Sequence, residues 1–543
     1  MRLFEAAFYK KWQPYQRVWD TELGRTVVEP ITVPSEWYVP RSKGIYTSVI
    51  DPTVTLEKKQ GRAKDGREEY GFLNPIYRTI RDEYWEKDAY NKSPRIWYLD
   101  IETRVGTNST GFPVPTKAEE PISLFQIYDN KAETMIILGL KPWKHQDTYE
   151  FPYRVKYILC TDEKQMIETY LTIFEKLDPL IIYAWNATNF DFPYLFHRLK
   201  GLGIDPNRLS NHGDVGMASP PVRQGNSDPT RTGWSPSPKF KAAGHFYLDL
   251  MEVYKKFTFK PVPSYALDTI AEFELGQRKV QHSEYAAFDD FYTGKYLIPD
   301  DPTPEQEASA IYKAALAGDW DEVRELAHSE FVYYGAQDTY LIKLIDDKKD
   351  FTALMSMISE KMGVQFADSL GTVKPWSHYI LNRSMLNRQV MPPTQDQTPE
   401  SILGGHVRQP DRGKHRWVLS ADVNSMYPLL GMVGFNMSPE TFVPRSELPA
   451  DLKMLVQQHF GTQEEGHVFD LSPEQWTDIT ETLRRHNMAL AVNGAVFRRD
   501  EIGMIPVMVQ EIYDSRKKAK GTQFRYEKKS LEIQEILNAR KTN

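Results

Sequence analysis

The sequence predicts a multidomain α/β protein, on three observations. Its 543 residues exceed what one hydrophobic core supports, which implies two to four domains. Between residues 94 and 200, apolar strand patterns such as "RIWYLDIE" and "DPLIIYAWN" alternate with the helical pattern "EKQMIETYLTIFEKL", the mark of an α/β layer. A further apolar strand opens at "RWVLSADVNSMYP", and from 504 the pattern becomes helical and basic: residues 516–543 hold nine Lys/Arg against three Glu.

Composition narrows the functional classes. Hydrophobic residues at 41% and charged residues at 26% are ordinary for a globular protein, and the absence of an apolar run of about 18 residues predicts no membrane span. The N-terminal "MRLFEAAFYKKWQPYQ" lacks a long apolar core with a small-residue cleavage site, so a cytoplasmic location is expected, in the host cell if the source is viral. Cys160 is the single cysteine, which excludes intrachain disulfides and multi-cysteine zinc sites; any metal is expected on oxygen ligands, which favours magnesium or manganese. The formal net charge of −7 argues against a general nucleic-acid coat, leaving local basic patches as the expected contacts.

Taken in chain order, the first chemically informative stretch is "SPRIWYLDIETRVG", residues 93–106. A strand alternates its faces, so Asp100 and Glu102 point one way and Ile101 the other. Burying two like charges costs several kcal/mol each unless a cation or hydrogen-bond donors compensate, so the pair either binds a divalent metal or reaches water at the strand end. In "LIIYAWNATNFDFPYLFHRLKGLG" an apolar strand runs through a short loop into a helix with Pro193 in its first turn and Gly201 after its last. Asp191 at that helix start is either a cap or a ligand, and Asn186 by itself is a turn residue. The segment from about 211 to 241, rich in Pro, Gly and Ser, reads as a long functional loop. In "ELAHSEFVYYGAQDTYLIKLI", Tyr334 and Asp338 share a helix face, which alone fits a structural Tyr–Asp contact. Asp422 closes the strand in "VLSADVNSMYPLL", where alone it fits a cap. Arg516 and Lys520 stand one helical turn apart, as a solvated basic face or as an anion site.

Together, D-I-E after a strand, N-x-x-x-F-D at a strand-to-helix turn and Y-x-x-x-D on a later helix resemble the Exo I, Exo II and Exo III motifs of DnaQ-like 3′→5′ proofreading exonucleases, as found in family B DNA polymerases. The resemblance implies a ribonuclease-H-like exonuclease domain in which Asp100, Glu102, Asp191 and Asp338 hold two Mg2+ ions, with Mn2+ as the substitute, while Tyr334 orients the water and scissile phosphate. "VLSADVNSMYPLL" resembles motif A, D-x-x-S-L-Y-P, with the volume-conserving Met426 in place of Leu. It implies that Asp422 and the Val423 carbonyl bind catalytic metal, again as part of a two-ion site. The same resemblance implies that Ser425, Met426 and Tyr427 contact the triphosphate and that Tyr427 excludes a 2′-hydroxyl. "PVMVQEIYDSRKKAKG" resembles the first fingers helix, which makes Arg516 and Lys520 ligands of the incoming dNTP.

The chain is similar to the replicative DNA polymerases of T-even-like bacteriophages, also through "SYALDTIAEFELG", "NMSPET" and "SRKKAKG". It departs from them at Ile402 in "SILGGHV", where the family has Tyr, and in the Pro-rich composition of the 211–241 loop, where the family has a strand-separating hairpin. Motif B, the D-T-D of motif C and a thumb are absent from the sequence. The resemblance therefore implies the N-terminal part of a split polymerase: an N-terminal domain (1–94 and 351–393), the exonuclease (95–350), a partial palm (394–502) and partial fingers (503–543). Expected partners are DNA primer-template, single-stranded DNA 3′ ends, dNTPs and a second polypeptide carrying motifs B and C and the thumb. A sliding clamp and a single-strand-binding protein are further candidates. The alternative is a free-standing exonuclease whose relict palm serves as DNA-binding surface. A non-catalytic binding role is disfavoured because every exonuclease carboxylate is present.

Overall fold

The computed structural model describes residues 1–61, 69–105, 113–218, 239–280, 282–393, 409–422, 425–460, 472–491 and 493–542. Val423, the "SILGGHV" linker and residues 219–238 of the long loop lie outside the described residues. The chain divides into two compact units. One holds Met1–Glu36 and Leu73–Tyr379, the other Trp37–Phe72 and Ile380–Asn543.

The first unit opens with an antiparallel sheet of β1 (Arg2–Lys10), β2 (Gln13–Asp20) and β3 (Arg25–Pro30). Its centre is a mixed six-stranded sheet of β4 (Ile96–Thr103), β5 (Ile122–Asp129), β6 (Thr134–Gly139), β7 (Arg154–Leu159), β8 (Ile181–Ala184) and β9 (Phe246–Asp249). The strand order is β7-β6-β5-β4-β8-β9. β4, β5 and β6 are antiparallel neighbours, while β8 and β9 run parallel to β4 and to each other. This is the mixed α/β layer that the alternating sequence patterns predict.

Strand alternation sorts β4 as expected. Trp97, Leu99 and Ile101 pack with Met166, Ile167, Tyr170, Leu171 and Phe174 of α1 (Glu163–Leu177) and with Leu195 and Leu199 of α2 (Asp191–Gly201). The five α1 residues fall at i, i+1, i+4, i+5 and i+8, one stripe of an amphipathic helix. The other face of β4 carries Ile96 and Tyr98, packed against the 30-residue helix α3 (Trp320–Lys349) through Phe331, Val332, Ile342 and Ile345. Asp100 and Glu102 belong to this second face, opposite Ile101.

Two contacts fix α3 against the sheet. Tyr98 donates its hydroxyl to Asp346 at 2.6 Å, and Asp346 also accepts from Thr352 at 2.8 Å. Gly335 lets the helix approach β5: a Cβ there would lie 1.8 Å from Nε2 of Gln126, which is fully buried. Gln126 pairs in register with Asp100, so this approach also sets the distance from α3 to the β4 carboxylates.

The second unit contains a sheet ordered Gln389–Val390, Tyr46–Ser48, Thr55–Gln60, Glu36–Pro40, Tyr70–Leu73, and a three-stranded sheet of Phe442–Val443, Val496–Arg498 and Met488–Leu490. Leu448, Leu452, Val456, Ile479 and Val496 form a small core there. The basic pattern from 504 forms the 39-residue helix α4 (Met504–Thr542). No helix among the described residues is long and apolar enough to cross a membrane.

Two expectations are corrected. The apolar strand predicted over "RWVLSAD" does not form: residues 416–422 have no regular structure, and Trp417, Val418 and Leu419 are 98%, 76% and 93% exposed. A strand is held by cross-strand hydrogen bonds, and no described strand pairs with this one. The 211–241 loop, whose composition argued against a hairpin, has a hairpin stem: Val215–Ala218 pairs antiparallel with Lys239–Ala242.

Gly335→Ala should lower the midpoint of thermal unfolding. Alanine gains about 1 kcal/mol of helix propensity, but overpacking typically costs about 1–3 kcal/mol, and a Cβ 1.8 Å from Nε2 of Gln126 forces that fully buried side chain to shift among close-packed neighbours. Calorimetry of the variant against wild type checks it; an unchanged or higher midpoint would show that Gln126 yields freely.

Candidate active site

Four carboxylates converge at the carboxyl end of β4. Asp100, Glu102 and Asp338 each present an oxygen within 4.8 Å of the others. Asp191, first residue of α2, stands beside them and within electrostatic reach of Asp100. Its N-cap is Phe190, so Asp191 does not cap its own helix, and the helix N-terminus favours the negative charge it carries. Tyr334 sits one turn before Asp338 on α3.

Lys279 enters the same cluster and was not expected from the sequence. Its Nζ donates to Oδ2 of Asp338 and, at 3.3 Å, to the Tyr334 hydroxyl. The Lys279 amide is tied to Asp268 at 2.8 Å, anchoring the loop after helix Leu267–Leu275. Spacing in the sequence could not find Lys279, but charge balance could have: four clustered carboxylates need a cation.

The electrostatics follow from burial and crowding. Burial, then the charge of Asp338, pushes the Asp100 carboxyl up to about 7, with Lys279 pulling the other way. Glu102 is raised by burial and then by Asp100 and Asp338. Asp191 is raised by burial and then by Asp100. Asp338 is raised by burial, with Lys279 opposing. Asp100 and Glu102 keep one partly open side, through which a small ion can reach them. Burial draws the Lys279 ammonium down, but Asp338, Asp100 and Glu102 outweigh it and the net shift is upward. Tyr334 is held protonated by burial and by the neighbouring carboxylates, which fits it to donate a hydrogen bond.

The donor set suits a hard divalent cation: carboxylate oxygens only, one of which, Oδ1 of Asp338, is buried without a hydrogen-bond partner. Lys279 can compensate only one of the four carboxylates, and full ionisation of the others needs further positive charge. Two other groups of metal-ligating side chains are already countercharged. Asp178, near His212 and His245, accepts from Arg17 at 3.1 Å, and Glu325, near His145 and Glu322, pairs with Lys144.

The polymerase candidates lie in the other unit. Asp422 is exposed and joins no group of metal-ligating side chains among the described residues. Ser425 has φ 52°, and Met426 and Tyr427 are exposed at the start of the helical turn Tyr427–Gly434. Arg516 and Lys520 are exposed on α4.

The mixed sheet and its carboxylate cluster define an α/β domain whose clustered oxygens could hold a divalent cation. Residues 73–270 match the family model described as DNA polymerase family B, exonuclease domain. It is similar to the DNA-directed DNA polymerase of Escherichia phage RB69, at 23% identity over 84% of this chain and 46% of the relative. The DNA-directed DNA polymerase of Enterobacteria phage T4 is 22% identical over the same shares. DNA polymerase 1 of Pyrococcus abyssi is 23% identical over 52% of this chain and 31% of its own length. The chain thus spans about half the length of the phage relatives it matches.

The Asp100 shift carries a sign that can be checked. Its folded value lies near 7 while an unfolded aspartate titrates near 4, so between those pH values the folded state binds the proton more tightly. The metal-free chain should therefore lose stability as pH rises from about 4 to about 7. Asp100→Asn should flatten that slope and raise the unfolding midpoint at pH 7 in chelator, whereas Mg2+ should raise the midpoint of wild type more than that of the variant. Calorimetry across that range decides it; a variant less stable than wild type in chelator at pH 7 would show that the carboxylate is already compensated.

Proposed function

We propose that this chain is the N-terminal subunit of a split replicative DNA-directed DNA polymerase, with a complete 3′→5′ proofreading exonuclease and a polymerase site finished by a second polypeptide. Residues 95–350 supply the exonuclease, 1–94 with 351–393 the N-terminal domain, 394–502 part of the palm and 503–543 part of the fingers. The observation that carries the nuclease half is the Asp100, Glu102 and Asp338 cluster, with Asp191, Tyr334 and Lys279 around it. Two Mg2+ ions, when bound, supply an activated water and stabilise the leaving 3′-oxygen. Asp100, Glu102, Asp191 and Asp338 would hold them. Tyr334, kept protonated, donates its hydroxyl toward the water or the scissile phosphate. Lys279 shields Asp338 in the free site and, once Asp338 turns to a cation, presents its ammonium to the phosphate.

The polymerase half rests on motif resemblance and on relatives that are about twice as long. Asp422 and the Val423 carbonyl would hold metal, Ser425, Met426 and Tyr427 the triphosphate and sugar, and Arg516 and Lys520 the phosphates of the dNTP. The exposed Trp417, Val418 and Leu419, together with Phe524, Leu531, Ile533 and Ile536 on α4, support a covering polypeptide. The free-standing exonuclease is favoured instead by one observation, the irregular and exposed backbone around Asp422.

With Mg2+, the purified chain should shorten 5′-labelled single-stranded DNA from its 3′ end, and Asp100→Ala should reduce the rate by roughly 100-fold or more. Equal rates for wild type and variant would remove the metal assignment. The chain alone should extend no primer, and adding a polypeptide with motifs B and C and the thumb should restore extension. In that complex Tyr427→Ala should incorporate ribonucleotides more readily. Primer extension by the isolated chain would overturn the split arrangement, and a mixture that neither associates nor polymerises would favour the free-standing exonuclease.

A further inference from the structure

Asp249 ends β9, and its position is set by sheet register: Ala184, last residue of β8, pairs with it across the parallel ladder. The loop that leaves β8 toward Asp191 therefore starts directly beside the Asp249 carboxylate. That carboxylate is buried, and both its oxygens are occupied by main-chain donors. Oδ1 accepts from the Asn186 amide at 2.9 Å and from the Met251 amide at 3.0 Å, while Oδ2 accepts from the Thr188 amide at 3.0 Å.

Capping the helix Leu250–Phe257 explains only the Met251 bond. The other two come from a different element, the amides of Asn186 and Thr188, and hold the chain on either side of the left-handed turn that Asn186 makes at φ 58°. Within the loop the turn is closed by the Asn189 amide on the Asn186 carbonyl at 3.1 Å and the Phe192 amide on the Ala187 carbonyl at 3.2 Å. These local bonds shape the loop without tying it to the sheet.

The tie has an electrostatic opponent. Asp191 is buried beside Asp100, and in the absence of a cation the like charges favour any motion that swings Asp191 toward water. Asp249 adds its own charge to that repulsion, so a neutral side chain would be electrostatically easier here. What a carboxylate adds is two acceptor oxygens, enough for three amides at once; asparagine offers one.

We infer that Asp249 is the positioning residue of this site: it clamps loop 186–190 to the end of β9, so that Asp191 stands beside Asp100 before any cation arrives. The inference rests on the exonuclease reading only for its catalytic consequence. Asp249 itself is no ligand, since each of its oxygens already accepts from the main chain.

The test uses the full chain, wild type and Asp249→Asn, with three readouts. Hydrogen exchange by mass spectrometry follows the peptide spanning 184–192 in metal-free protein. Electron paramagnetic resonance of free Mn2+ measures cation affinity without DNA. Hydrolysis of a single-stranded oligonucleotide gives kcat and KM. Removal of a partner that orients a ligating group typically costs about 10- to 100-fold in metal affinity or activity. The variant should lose protection in 184–192 while the rest of the chain keeps it, bind Mn2+ at least 10-fold more weakly, and lose kcat with little change in KM for the oligonucleotide. Unchanged protection and Mn2+ affinity in a folded variant would overturn the inference and leave Asp249 as a helix cap. If the variant does not fold, wild type decides: the 184–192 amides should already exchange slowly without metal, and exchange that becomes slow only on adding Mn2+ would overturn the inference. A wild type that binds Mn2+ and shows the protection yet hydrolyses no DNA would defeat the exonuclease reading while leaving the clamp in place.

Discussion

Like-charge crowding on the α3 face of β4 is the constraint to which the rest of the first unit answers. Asp100 and Glu102 are two residues apart on one strand face, and Asp338 faces them from α3. Left alone, three carboxylates this close would either take up protons or push the helix away from the sheet. Lys279 counters part of the charge, and the buried, unpaired Oδ1 of Asp338 shows that one lysine does not saturate the site. The packing resists the remainder. Tyr98 holds Asp346 two turns beyond Asp338, and Gly335 lets α3 sit close on Gln126 and Leu124. The apolar contacts of α3 thus act against a repulsion that a bound cation would remove.

This balance explains why so many groups around the site are perturbed in one direction. Burial raises the carboxyls and lowers the ammonium, while mutual proximity raises the carboxyls further and the ammonium too. A site built for stability alone would replace one carboxylate with an amide. Keeping all four means that the metal-free protein is less stable near neutral pH than it could be, and that a divalent cation would bind where its charge is most needed.

What was legible in the sequence was what depends on local periodicity. The period of two in "RIWYLDIE" placed Asp100 and Glu102 together and Ile101 opposite, and the i, i+4 spacing placed Tyr334 over Asp338. The strand-to-helix turn gave Asp191 its position at the start of α2, although the Phe190 cap could not be read from "TNFDF". Lys279 and Asp249 were not legible because their roles are set by tertiary contacts: Lys279 reaches α3 from a loop 59 residues earlier in the chain, and Asp249 reaches Asn186 only through the β8–β9 register. The strand expected at Asp422 failed for the complementary reason. Its local pattern is that of a strand, but a pattern supplies only one side of a ladder, and no described strand supplies the other.

That failure separates the two halves of the chain physically. In the first unit, Asp100, Glu102, Asp191 and Asp338 stand on elements whose apolar faces are packed within the unit. In the second, Trp417, Val418 and Leu419 lie open beside Asp422, and α4 leaves Phe524, Leu531, Ile533 and Ile536 in water. Apolar surface of this kind gains about 25 cal/mol for each Å² that another surface covers, and a backbone in the Asp422 region without a ladder can adopt one when a partner strand arrives. The geometry of any metal pair at Asp422 would then be fixed by the covering surface, whereas the carboxylates around Asp100 are placed by elements of the first unit itself.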